Sequence, residues 1–384
     1  MAFLTEHDKT YRTPEDICTH LGDEYAEHHG AIVPPLYQNS LFVLPTEVNG
    51  ITDQPYEYTR VSNPTLELAE RKIAALEGGD GALCFSTGIA AIAASIMHFI
   101  KTGCHVIIVE SAYGNARTFV GRYLSEKSGV TYTYVEGSSI AEIEAAIRPE
   151  TTLIYLESPS SLVFHMQDLE AVAALAKSHN IGTVIDNTYA TPLHQQPLKY
   201  GIDVVCHSAT KYLGGHSDIL AGAVIARREI IEQIHQNERM LFGAVIDPHQ
   251  AWLLARGIRT LPLRMKQHGE NGKRVAAFLE NHPKVKAVYY PGSATYAQPE
   301  LFAKYLSGTN GLLSIVLNGT ADDARRFVSR LHYFQRGCSW GGFESLALFV
   351  GTDEAPLVRM HIGLEAVDTL IADLEQALAV CPDA

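Results

Sequence analysis

The stretch Cys206-His207-Ser208-Ala209-Thr210-Lys211-Tyr212-Leu213-Gly214-Gly215-His216-Ser217-Asp218 organises the chain. It follows a hydrophobic run, Ile202 to Val205, that reads as a buried strand ending in hydroxyls, one lysine and two glycines. That pattern suits a lysine held at the mouth of an α/β sheet, where ligands of such sheets bind. Upstream, Gly182-Thr183-Val184-Ile185-Asp186-Asn187-Thr188 is a second strand end. One strand delivers Lys211 and the other Asp186, each at its carboxyl end. A strand-end aspartate alone reads as a cap, and a lone lysine as a solvated side chain. Together, beside the hydroxyls of Ser208 and Thr210, they meet the needs of pyridoxal phosphate (PLP): a lysine for the Schiff base and an acid for the ring nitrogen.

Outward from this pair, strands and helices alternate. Asn63-Pro64 opens a helix, with Asn63 as N-cap and Pro64 first in the helix. Leu66, Ala69, Ile73 and Leu76 share one face, and Gly78-Gly79 ends it. Ala82 to Phe85 predicts a strand, followed by the small turn Ser86-Thr87-Gly88 and a helix over Ile89 to Ile100. A strand, tight turn and helix leave unpaired first-turn amides that can cradle a phosphate. Strands follow at His105–Glu110, Val130–Val135, Thr152–Leu156, Ile181–Ile185 and Ala221–Ile225. Ser139 to Glu142 predicts a capping box, and Asp168 caps a helix bearing Leu169, Val172 and Leu175. The alternation predicts a large α/β domain over residues 61–255 with a mostly parallel sheet. Residues 256–384 read as a smaller α+β domain closing on an amphipathic helix with Val367, Leu370, Ile371, Leu374 and Leu378. Residues 1–60 lack a sustained period and read as an arm packed on the body or on a neighbour.

Composition narrows the classes. The 384 residues suffice for a full core and two domains, and a formal net charge of −13 argues against nucleic acid or an anionic membrane as partner. Six scattered cysteines show no CxxC and no zinc spacing, so they read as reduced thiols of a cytoplasmic protein. Met1 to Asp8 carries neither a basic region nor an apolar core of a secretory signal. Two other chemistries compete for the same residues. Ser208-Ala209-Thr210-Lys211 fits the S-x-x-K pattern of a serine hydrolase, but Ser217-Asp218 is followed by Ile219 and no Lys-Thr-Gly exists. Asp186, His194, His207, His216 and Asp218 could be metal ligands, but their spacing fits no ligand motif, and no metal is expected. His207 and His216 read as packing or capping groups, and Trp340 as a core aromatic rather than a substrate wall.

Taken together, these motifs resemble the Cys/Met-metabolism family of PLP enzymes, the cystathionine synthases and lyases of the aspartate-aminotransferase fold (fold type I). The resemblance runs from about residue 30 to the end. It is carried by Tyr56-Glu57-Tyr58-Thr59-Arg60 with Asn63-Pro64-Thr65, Leu76-Glu77-Gly78-Gly79, Ser86-Thr87-Gly88-Ile89-Ala90-Ala91, Asp186-Asn187-Thr188, the lysine stretch, and Arg256-Gly257-Ile258-Arg259-Thr260-Leu261. Ser339-Trp340-Gly341-Gly342-Phe343-Glu344-Ser345-Leu346 and Leu357 to Glu365 resemble bacterial cystathionine β-lyases more than the γ-enzymes.

The resemblance implies roles. Lys211 carries the cofactor and moves the Cα proton, Asp186 pairs with the ring nitrogen, and Tyr113 stacks on the ring and serves catalysis. Ser208, Thr210 and the amides of Gly88 and Ile89 hold the phosphate, and Tyr58 and Arg60 reach it from a neighbouring subunit. Arg359 clamps the substrate α-carboxylate, with Ser339 and Tyr113 beside the substrate. The implied assembly is a homotetramer of two tight dimers with shared sites. The implied reaction is β-elimination from cystathionine or a related thioether; γ-elimination or γ-replacement is the alternative. Cys338 stands where many relatives with γ-chemistry on cystathionine carry Glu. Three departures leave the substrate open: Ser161 where many relatives have Asn, and Val61 and Thr118 where β-lyases carry polar or charged residues.

Overall fold

A computed structural model describes residues 3–52 and 54–382; Met1 and Ala2, with which the amino-terminal reading begins, lie outside them. The α/β alternation folds as a seven-stranded sheet built from β1 (Gly81–Phe85), β2 (His105–Val109), β3 (Thr131–Val135), β4 (Thr151–Glu157), β5 (Gly182–Asp186), β6 (Val204–His207) and β7 (Gly222–Ala226). Their spatial order is β1-β7-β6-β5-β4-β2-β3. The pairs from β3 through β6 are parallel, and β7 runs antiparallel to both β1 and β6. Every residue of β1, β2 and β7 is buried, as strands covered by helices on both faces must be. Chain order reverses between β2 and β4, which opens a crevice at the carboxyl ends of the strands.

Local chemistry explains the elements that frame this crevice. In the helix Pro64–Glu77, the Asn63 side chain accepts the Thr65 N–H at 2.9 Å and proline fills the first position. Gly78 then leaves the helix at φ 76°, a conformation costly for other residues. Leu66, Ala69, Ile73 and Leu76 are all buried, as their spacing predicted. One cap differs from expectation. The helix Ile140–Ala145 starts after Ser139, but Ser139 makes no cap bond. Glu142 instead accepts the amides of Glu136 and Gly137 at 2.9 and 3.0 Å, drawn to two donors in the preceding turn. A true capping box forms at Thr320 and Asp323.

A second sheet contains β8 (Val285–Tyr289), β9 (Leu312–Leu317), β10 (Gln335–Arg336), β11 (Leu346–Phe349) and β12 (Leu357–His361), ordered β10-β11-β12-β9-β8. Its core includes Leu313, Ile315, Phe327, Met360 and Leu374. The helix Leu261–Glu280 serves both cores, with Leu261 and Met265 in the first and Val275, Ala276 and Leu279 in the second. The arm holds a single α-helix, Pro14–His20, among its described residues, and Ile32, Val33, Leu41, Val43, Leu44 and Val48 are each at least half exposed. Among the described residues no helix is long and apolar enough to cross a membrane. The six cysteines are free, with Cys338 exposed and the rest buried.

Candidate active site

The carboxyl ends of β4, β5 and β6 lie side by side: Glu157 pairs with Asp186, and Asp186 with Cys206, one residue before the end of β6. They floor a cavity of about 270 Å³. Of the residues singled out in the sequence, Lys211, Asp186, Tyr113, Ser208, Thr210, Gly88, Ile89 and Arg359 all line it. Ser339 joins them through Lys211, whose Nζ donates to Ser339 Oγ at 2.5 Å. Tyr58 and Arg60 are not among the lining residues. Arg60 stacks over the Tyr58 ring at 5.6 Å and donates to the Met240 carbonyl at 3.0 Å.

An anion cradle closes one end. β1 runs into Thr87, whose side chain accepts the Ala90 N–H at 3.2 Å and caps the ten-residue helix Gly88–Met97. A Cβ at Gly88 would fall 2.6 Å from both Cβ and Oγ of Ser208, so only glycine lets this turn approach the strand end after β6. Unpaired first-turn amides at the positive end of a helix suit a phosphate. Ser208 borders the cradle with its hydroxyl. The Thr210 hydroxyl is tied to Ala221, donating to its carbonyl at 3.1 Å and accepting its amide at 2.9 Å.

Charge in the cavity is arranged by burial. Desolvation, aided by the Arg359 charge, lowers the Lys211 amine from the ordinary lysine range to about 8, so a nucleophilic neutral form is within reach. Its Nζ lies 5.4 Å from the Trp340 ring centre. Trp340 therefore both packs on the core, as expected, and lines the cavity. Asp186 accepts the Thr188 N–H at 2.9 Å and the Thr188 hydroxyl. Burial raises its pKa, while those donors and the charges of His207 and Lys211 pull the other way. A carboxylate so placed is best satisfied by a cation at the cavity side. On β12, Arg359 donates to the Cys338 carbonyl at 2.9 Å, and burial lowers its pKa.

Two groups escaped the sequence reading. Glu157, buried at the tip of β4, lines the cavity beside Asp186; its signal, an acid ending a strand, was the same one that marked Asp186. His207, expected only to pack or cap, has Nε2 2.6 Å from Glu77 Oε1. The same oxygen accepts from Asn187 Nδ2 at 2.7 Å, and all three side chains are buried. This buried clamp joins the tips of β5 and β6 to the end of the helix Pro64–Glu77, a pairing no local pattern reveals. His216 has Nδ1 2.8 Å from the Gly214 carbonyl and closes a turn. Among the described residues no three His, Cys, Asp or Glu side chains gather as a metal would require.

A lysine amine of lowered basicity, a buried carboxylate and an anion cradle around one cavity form the donor set of a PLP enzyme. Family comparison agrees. Residues 15–379 match the family described as Cys/Met metabolism PLP-dependent enzyme. The chain belongs to that family, and PLP is its cofactor. It is 40% identical to the L-methionine gamma-lyase of Pseudomonas deceptionensis, covering 94% of this chain and 95% of that one. It is 38% identical to the cystathionine beta-lyase of Lactococcus lactis subsp. cremoris, covering 91% and 94%. The crystal structure of cystathionine gamma synthase from Xanthomonas oryzae pv. oryzae, in complex with aminoacrylate and cysteine, superposes with a TM-score of 0.91 at 32% identity, covering 96% and 98%. Membership sets the fold, the cofactor and the field of chemistry, cysteine and methionine metabolism; the relatives' names differ in the reaction.

Proposed function

We propose that this chain is a C–S lyase that cleaves cystathionine or a related thioether amino acid by β-elimination, giving pyruvate, ammonia and a thiol. Bound PLP supplies an electron sink for the carbanion at Cα. Lys211 would hold the cofactor through its amine, and that amine, lowered toward its neutral form, would take the Cα proton. Asp186 would pair with the ring nitrogen and favour its protonated form, and Tyr113 would lie against the ring. The amides of Gly88 and Ile89 with Ser208 and Thr210 hold the phosphate. Arg359 takes the substrate α-carboxylate through its planar fork, and Ser339 steadies the Lys211 amine. Tyr58 and Arg60 complete the phosphate site of a neighbouring subunit in a homotetramer, which gives the exposed apolar arm a surface to cover. The six free thiols favour the cytoplasm.

The observation that carries β-elimination is that, among the described residues, Lys211 is the one amine lining the cavity, with Cys338 in place of an acid beside Arg359. Elimination at Cβ asks for one proton, from Cα, which a single amine removes. Elimination at Cγ asks for a second, from Cβ. The 40% identity to a methionine gamma-lyase favours the γ-reading as the alternative. With cystathionine, the β-route yields pyruvate and homocysteine, and the γ-route 2-oxobutyrate and cysteine. Chromatography of the keto acid is expected to show pyruvate; predominant 2-oxobutyrate would overturn the assignment.

A further inference from the structure

Glu157 lines the cavity yet has no part in the scheme above. β4 ends on it, its register partner on β5 is Asp186, and the two buried carboxylates therefore stand side by side on one face of the sheet. Its Oε2 accepts the main-chain N–H of Tyr113 at 2.7 Å, and its Oε1 lies 2.5 Å from Ser161 Oγ. Tyr113 is 42% exposed. Its other hydrogen bonds, with Ala116, Arg117 and Asn115, stay within its own short helix. The bond to Glu157 is thus what ties this residue to the sheet. Ser161 sits in the loop after β4, where Leu162 and Phe164 adopt positive φ, and Glu157 anchors that loop as well.

We propose that Glu157 is a positioning residue, which fixes Tyr113 against the cofactor ring and Ser161 at the cavity wall by shape and hydrogen bonding, while Asp186 alone supplies the negative charge. This rests on the placement of Tyr113 proposed above. Charge balance supports the division. Lys211 is spent on the cofactor, and Arg359 faces the substrate carboxylate, so an ionised Glu157 would be a buried charge without a partner. Burial and the adjacent Asp186 carboxylate both hold Glu157 toward its neutral form.

Two conservative variants separate position from charge. Glu157→Gln keeps reach and hydrogen-bonding capacity but cannot ionise; Glu157→Asp can still ionise but withdraws the carboxyl by one methylene. Each is loaded with PLP, and affinity is read from visible absorbance and ring orientation from visible circular dichroism. Glu157→Gln is expected within about twofold of wild type in both readouts, because its amide can satisfy the Tyr113 N–H and the Ser161 oxygen. Glu157→Asp is expected to bind PLP about tenfold more weakly and to lose much of the visible ellipticity, with far-ultraviolet dichroism unchanged. The reverse order, equal damage in both, or wild-type behaviour in both would overturn the proposal. Tyr113→Ala tests the underlying placement separately: unchanged ellipticity there removes the ring contact, whatever the Glu157 variants do.

Discussion

Two lysines of this chain are withdrawn from solvent, Lys72 buried and Lys211 half-buried, and they do opposite things. Lys72, on the helix Pro64–Glu77, is fully enclosed and donates to the carbonyls of Ile17 and Cys18 at 3.2 Å each, pinning the arm helix to the body. Lys211 borders the cavity and donates to one hydroxyl, that of Ser339. Burial lowers both amines to about 8. A depressed amine is therefore no mark of function by itself. What separates the two is the surroundings: Lys72 spends its hydrogens on main-chain oxygens, whereas Lys211 faces open volume with Asp186 and an anion cradle across it.

The largest effect should come from removing each amine in turn. Lys211→Ala is expected to lose about 10⁴-fold or more in turnover while keeping its fold, since attachment and proton transfer go together. Borohydride treatment of the wild-type holoenzyme should fix the cofactor on Lys211. Lys72→Met should keep turnover and lose about 1–3 kcal/mol of stability in urea melts, because two carbonyls lose their donor. An inactive but stable Lys72→Met protein, or label recovered on Lys72, would erase the distinction. Next in size is Asp186→Asn, expected to cost about a hundredfold in rate, the scale of one preorganised electrostatic contact. Full activity in that variant would leave Lys211 without the acid that distinguishes its surroundings.

Much of this contrast is legible in sequence because Lys211 and Asp186 lie in short contiguous motifs at strand ends. Ser208 and the Gly88 turn are legible for the same reason. Arg359 and Ser339 come from the second domain, more than a hundred residues beyond Lys211, and only resemblance to a family reaches them. Glu157 was visible as a strand end but not as a site residue, since its importance lies in its register with Asp186 and in the Tyr113 amide. His207 looked like packing because its partner, Glu77, is distant in sequence. The expected cap at Ser139 failed because Glu142 found two amides nearer the preceding strand.

A smaller effect concerns the arm that Lys72 holds down. Arg60 lies outside its own cavity and is solvent-facing, so its contribution should be made in trans. Arg60→Ala and Lys211→Ala proteins, each inactive alone, should recover up to about a quarter of wild-type activity after mixing and subunit exchange, as expected for isologous dimers sharing two sites. No recovery after demonstrated exchange would confine each site to one chain.

The smallest effect is a stability difference with a defined dependence on pH. In protein stripped of cofactor, the Lys211 amine is lowered to about 8 in the fold from an ordinary 10.5 in the unfolded chain. Between those values the unfolded chain binds more protons, so the contribution of Lys211 to stability improves as pH rises. The penalty is therefore complete below about pH 8 and gone above 10.5. Lys211→Met, which fills similar space without the charge, should make the cofactor-free protein more stable at pH 7 by about 1–2 kcal/mol, after discounting for the amine's access to the cavity. That gain should shrink toward zero as pH approaches 10.5. The matching change at Lys72 should give no such gain, because the carbonyls of Ile17 and Cys18 are left without the amine that satisfies them. Urea midpoints at neutral and alkaline pH decide the matter. A less stable cofactor-free Lys211→Met protein at pH 7 would mean that Lys211, like Lys72, is held by its fold rather than strained for chemistry.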